Sequence, residues 1–148
     1  MSTGTFSPSA QISSASPDFA LLILRIACSL PVLYHGSAIL FGAFGGPGPN
    51  NFAAFMHQPA IVGYLVGLAQ FAGGIAILLG ALQRIGSLCV IAVMCGAIYF
   101  VHWPHGWDIG KGGYEFALTV LLVSLGLLIS GSGAYSLGRI LPGPLKNL

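Results

Sequence analysis

Four long stretches almost free of charge constrain this 148-residue chain more than any other feature. They run from Phe19 to Phe44, Ile61 to Leu82, Ile85 to Trp103 and Tyr114 to Gly131. A helix of about 20 mostly apolar residues crosses the hydrocarbon core of a bilayer, where a chain must satisfy its own backbone groups. The expected fold class is therefore an all-α membrane protein, a four-transmembrane-helix bundle in a bacterial-type inner (cytoplasmic) membrane. Composition agrees, with 55% hydrophobic and only 5% charged residues, where a soluble domain carries about 25% charge. The organisation that follows is a flexible N-terminal tail over 1–18, one membrane domain over 19–139 and a short tail over 140–148.

The first 18 residues hold no Lys or Arg, so the charged start of a signal peptide is missing and helix 1 is expected to stay in the membrane. Asp18, after Pro17, is placed to cap that helix. Arg25, Arg84, Arg139 and Lys146 gather on one side of the expected bundle and Lys111 stands alone on the other. The positive-inside rule then makes both termini cytoplasmic. The first outward loop, "GGPGPNNFAAFMHQP", is too rich in Gly and Pro for a continuous helix, although "NNFAAFM" is suited to a short interfacial one.

The second outward loop lies in "FVHWPHGWDIGKGGYEF", which collects Asp108, Lys111 and Glu115 together with His102 and His105. One reading is that it is polar because it leaves the membrane: Pro104 and Gly106 end helix 3, Gly112 and Gly113 release the chain, and Glu115 favours the positive end of helix 4. The other reading is an outward rim of His57, His102, His105, Trp107, Asp108 and Glu115 that contacts a partner. A metal site is not expected, because His102 and His105 are the one closely spaced pair and a proline between them disturbs the helical turn.

Deeper in the bundle, His35 and Gln70 each lie nine residues from the outer end of their helix, roughly 13 Å down at the helical rise. They are placed to meet. Gly63, Gly67, Gln70 and Gly74 share one face of helix 2, a small-residue stripe that lets another backbone approach. His35 reads either as a neutral imidazole satisfied by a neighbour, or as a hydrogen-bonding partner of a quinone or the ligand of a pigment or haem metal. Tyr99 joins His35 and Gln70 as a candidate quinone contact. A haem held by two histidines of this chain is disfavoured, since the same rise puts His102 roughly 12 Å higher than His35. Pro31, one turn before His35, predicts a kink. Arg25 is near enough to the boundary to snorkel. Cys28, Cys89 and Cys95 lack the spacing of a redox dithiol. No phosphate-binding glycine loop, serine nucleophile elbow or basic nucleic-acid surface is present.

These segments together resemble the DoxX family of small four-helix membrane proteins. The resemblance rests on His35-Gly36, on Gly73-Gly74 with Gly80, on Tyr114-Glu115, and on Gly131, Gly133, Tyr135, Ser136 and Leu137. It implies a redox membrane: one branch of the family resembles the membrane part of a thiosulfate:quinone oxidoreductase, and another is linked to thiol-redox partners. Where the family commonly has a lysine in helix 1 this chain has Ile39, where it has a glutamate in helix 2 this chain has Gln70, and Gly138 replaces an aspartate. Losing both interior charges together is coherent, because one left alone in the membrane is costly. Two functions follow as expectations. The first is a non-catalytic accessory subunit of a larger respiratory or photosynthetic electron-transfer complex, set in lipid beside other membrane-protein subunits. The alternative is a quinone-reactive subunit of a thiosulfate:quinone or thiol oxidoreductase.

Overall fold

The computed structural model describes residues 15–143, and every regular element among them is helical. Five α-helices follow in order: α1 Ala15–Phe41, α2 Gly48–Phe55, α3 Ala60–Leu79, α4 Gln83–Ala97 and α5 Glu115–Ser130. Past Ala97, α4 continues as a π-helical turn over Ile98–His102 and a 3-10 turn over Trp103–His105. Three segments are long and apolar enough to cross a membrane: Pro17–Phe41, Ala60–Leu79 and Gln83–His105. The last expected span, α5, has 16 residues, about 24 Å of helix against a hydrocarbon core of about 30 Å.

The observed boundaries differ from the sequence reading at the ends. Helix 1 was expected over 19–44, but α1 begins at Ala15, so part of the expected tail is helical, and it stops at Phe41 because Gly42 turns left-handed with φ 70°. Residues 1–14 and 144–148, including Lys146, lie outside the described residues. The interfacial helix expected in the first loop is α2. Asp18 stands inside the first turn of α1 rather than capping it, and its Oδ1 accepts from the Ala134 N–H at 2.9 Å. α1 stays helical across Pro31.

Glycines set the packing of α3 between α1 and α4. A Cβ on Gly67 would lie 3.0 Å from Leu40, one on Gly74 2.9 Å from Leu33, and one on Gly36 2.6 Å from the Phe71 backbone nitrogen. Across the other face, Gly86 of α4 faces the Gly73 carbonyl at 2.7 Å by the same measure. The small-residue stripe of α3 is thus filled by α1 and, at Gly63, by the backbone of Pro49 in α2. Between the helices, Cys28, Val32, Ile77, Val90, Met94, Ala117, Val120 and Leu127 form the apolar core. The outward faces carry exposed Leu, Ile and Phe in number, such as Leu30, Leu65, Leu88 and Leu122. Such an inverted surface belongs in lipid.

Arg25 corrects the sequence reading most clearly. It does not snorkel: it is 1% exposed, and its guanidinium donates to the carbonyls of Ile77 (2.8 Å), Leu78 (2.6 Å), Ser132 (3.0 Å) and Tyr135 (2.6 Å). Two of these acceptors are in the last turn of α3, where the helix-end carbonyls carry partial negative charge. The other two lie beyond α5. Arg25 and Asp18 therefore hold the segment after α5 against the start of α1 and the end of α3. Gly80 (φ 65°) lies under the guanidinium, with an added Cβ only 2.7 Å from its Cζ, and its carbonyl accepts from the Gly138 N–H at 3.0 Å. The chain after α5 thus returns to the end of the bundle where α4 begins, opposite the loop that follows His105.

Candidate functional site

At the end of the bundle away from Arg25, the helices enclose a cavity of about 620 Å³. α1 contributes Pro31, Val32, His35 and Ile39; α3 contributes Val62, Val66, Ala69 and Gln70; α4 and its π turn contribute Cys89, Val93, Ala97 and His102. α2 and the residues after it cover one side with Phe52, Phe55, Met56 and Gln58, and Phe116, Ala117 and Val120 of α5 complete the wall. Phe55 and Phe100 line the cavity yet are 70% and 63% exposed, so it opens between them to the surroundings of the bundle.

Local backbone chemistry places each polar side chain. Gly36 lets α1 lie directly on Gln70 and Phe71 of α3, and His35 and Gln70 line the same cavity. His35 stands edge-on to Tyr34, the ring centroids 5.4 Å apart. Gln70 is 5% exposed, and its Oε1 has no hydrogen-bond partner among the described residues. Leaving such a group unpaired in an apolar interior costs about 1–3 kcal/mol. Gln83 Oε1 and Ser87 Oγ, outside the cavity lining, are buried and unpaired in the same way.

His102 reaches the same cavity through the π turn. Pro104 has no N–H, and its ring conflicts with the carbonyl four residues earlier, that of Phe100. The helix widens at Ile98–His102 before that conflict arises. His105 Nδ1 lies 3.0 Å from the Val101 carbonyl and so serves one of the carbonyls the distorted turn frees. His102 is half-buried, with Nδ1 2.7 Å from the Gly112 carbonyl. Uniform helical rise separates His35 and His102 in depth, but the structure brings both to one cavity.

The remaining rim residues have other neighbours. Glu115 Oε1 accepts from the Ile109 N–H at 3.0 Å, and Asp108 Oδ1 accepts from the Gly110 N–H at 2.8 Å. Trp103 stacks on Tyr114 with centroids 5.5 Å apart, and Trp107 meets the same ring edge-on at 5.6 Å. Backbone bonds from Tyr114 N to Gly106 O and from Glu115 N to Trp107 O close the loop. The ionisable groups concentrated in this stretch thus tie a tight turn together. His57 is exposed at the end of α2, in a left-handed conformation with φ 52°. Tyr99 is 72% exposed, packs edge-on against Phe100 and is not among the lining residues. Among the described residues no three His, Cys, Asp or Glu side chains gather as a metal site.

Sequence reasoning missed Arg25 as the clamp of the opposite end and α2 as a wall of the cavity. The isolated Phe52, Phe55 and Met56 within a Gly/Pro-rich loop were the available signal for α2. For Arg25 the bonded carbonyls are up to 110 residues away and leave no local signature.

A bundle of helices with apolar outer faces, three of them long enough to span, and a cavity between them define a multi-pass α-helical membrane protein. The model of the DoxX family matches residues 20–103, from α1 through the start of the 3-10 turn after α4. The inner membrane protein YqjF of Escherichia coli (strain K12) is 30% identical over 125 residues, which cover 84% of this chain and 93% of that protein. No solved structure matches. The chain belongs to the DoxX family.

Proposed function

We propose that this protein binds the ring of a quinone-class molecule in the cavity between α1, α3 and α4, as a quinone-reactive membrane subunit. The observation that carries this reading is an apolar cavity of about 620 Å³ with His35, Gln70 and His102 on its wall and Gln70 Oε1 unpaired. Ligand sites of this kind are mostly apolar with a few polar groups that fix orientation. His35, Gln70 and His102 would hold the ring's polar substituents, while Phe52, Phe55 and Met56 would lie along its apolar tail. Bound there, a quinone supplies two-electron, two-proton redox chemistry.

The same reading takes α5 as a fourth crossing. The segment after it bonds to Asp18 and Arg25 near the start of α1, whereas the loop before it lies at the far end of α4. An even number of crossings follows, with both termini on the cation-rich, cytoplasmic side. An accessory place beside a larger electron-transfer complex would keep this site and add a partner. Its support is narrower, since the glycine stripe expected to dock neighbouring helices is covered by α1 and α2.

Titration of the purified protein in quinone-free nanodiscs with decylubiquinone, followed by tryptophan quenching, tests the reading. Saturable quenching that disappears in an Ala97→Phe variant, which fills the cavity, is the expected result. Quenching that rises linearly and equally in both proteins would reflect partition into lipid alone and end the proposal.

A further inference from the structure

The polar atoms of the cavity specify the oxidation state of what it holds. His102 Nδ1 lies 2.7 Å from the Gly112 carbonyl, which can only accept a hydrogen bond. The proton of the neutral imidazole must therefore sit on Nδ1, and Nε2 is left as a bare acceptor. Gln70, nine-tenths buried with no partner for its Oε1, carries a carboxamide that can turn to offer either its oxygen or its NH2 group, and so suits either form. His102 alone thus asks for a proton from the ligand. A ring carbonyl would set lone pair against lone pair at its Nε2, whereas a ring hydroxyl donates to it.

We propose that the cavity takes the hydroxyl-bearing, reduced form of its ring ligand in preference to the dicarbonyl form, with His102 Nε2 accepting from a ring hydroxyl group. This inference rests on the quinone-class reading above. His35, whose ring is bound to no backbone carbonyl in the way His102 is, adapts its tautomer to either form and adds no preference. The Gly112 contact makes His102 the discriminating residue. Its selectivity depends on the loop that presents the carbonyl, which the Gly112 φ of 81° and the bond from Gly112 N to Ile109 O help to shape.

The test is a calorimetric titration of the full chain in quinone-free nanodiscs with decylubiquinol, kept reduced under argon, and separately with decylubiquinone. The expected result is a Kd about tenfold lower for the quinol, a difference of about 1.4 kcal/mol. Equal affinities, or a tighter quinone, would overturn the inference and leave the binding reading intact. Saturable binding of neither form would overturn both. A second measurement does not depend on a folded variant: in protein labelled with 15N-histidine, His102 Nε2 should give the signal of an unprotonated ring nitrogen and shift when the quinol is added. A protonated Nε2 in the free protein would overturn the proposal directly. In His102→Gln, whose amide offers a donor as well as an acceptor, the affinity ratio should fall toward one while the melting temperature stays within a few degrees. An unchanged ratio in that folded variant would remove His102 from the role.

Discussion

The two ends of this bundle treat buried polarity in opposite ways. At one end Arg25 is fully enclosed and bonded to four carbonyls from two segments of chain. At the other, Gln70 is almost as deeply enclosed and its oxygen is bonded to none. The first end satisfies its buried charge from within, although Gln83 Oε1 there has no partner. The second is left unsatisfied beside a cavity, which is the arrangement expected where a ligand completes the hydrogen bonding. A charge that only carbonyls neutralise is tolerable in a membrane because helix ends supply those carbonyls as concentrated partial charge.

Removing Arg25 should produce the largest effect. Arg25→Ala would remove a donor from four carbonyls, though that of Ile77 keeps the Gly80 N–H, and would open a void beside Gly80; each buried group left unpaired costs about 1–3 kcal/mol. The expected outcome is loss of most folded protein, read as a collapse of the melting temperature in detergent and rapid proteolysis after Ser130. A variant that melts within about 2 °C of the parent would show that the clamp carries little stability. Arg25→Lys should recover only part of the loss, since one ammonium cannot reach four acceptors arranged around a planar fork.

Gly36→Val comes next, and it acts on the boundary between the two ends. Its Cβ would fall 2.6 Å from the Phe71 nitrogen and 2.9 Å from Gln70 Cβ, so α1 must move away from α3. Overpacking of this kind costs about 1–3 kcal/mol. Ligand binding should be lost along with that stability, because His35 and Gln70 separate. The comparison is Gly126→Val on α5, where nothing lies within 4 Å of an added Cβ. It should leave both properties unchanged, and an equal effect of the two changes would contradict the close approach described here.

Much of this contrast was legible in sequence. Uninterrupted apolar runs gave the long helices to within a few residues, and glycines at helical spacing gave the face of α3 that meets α1. Equal distance from the helix ends put His35 and Gln70 at similar depth, and both line the cavity. What could not be read depends on groups far apart in the chain or on irregular backbone. The carbonyls of Ser132 and Tyr135 reach Arg25 only once the bundle has closed. His102 was assigned a level by uniform helical rise, and the π turn before Pro104 makes that rise non-uniform. The short α2 lacks the length by which membrane segments are recognised.

The smallest effect is also the most discriminating, because it sets two buried glutamines against each other. Gln83, 2% exposed at the Arg25 end, donates through Nε2 to the Leu127 carbonyl at 3.0 Å, while its Oε1 is unpaired. Gln70 lines the cavity, and its Oε1 is likewise buried and unpaired. Replacing either by leucine removes one orphaned acceptor at similar volume. In Gln83→Leu that gain is offset by the loss of the bond to α5, where the Leu127 carbonyl keeps only its bond from the Gly131 N–H, so the melting temperature should fall by an amount corresponding to about 1 kcal/mol. In Gln70→Leu no hydrogen bond to the oxygen is lost, and the protein should be unchanged or stabilised by up to about 1 kcal/mol, while its affinity for a hydroxyl-bearing ring drops. Stability and binding then move apart at one end of the bundle and not at the other. If Gln70→Leu instead destabilises the free protein as much as Gln83→Leu does, Gln70 is a structural residue like its counterpart, and the division between a closed end and a receptive end fails.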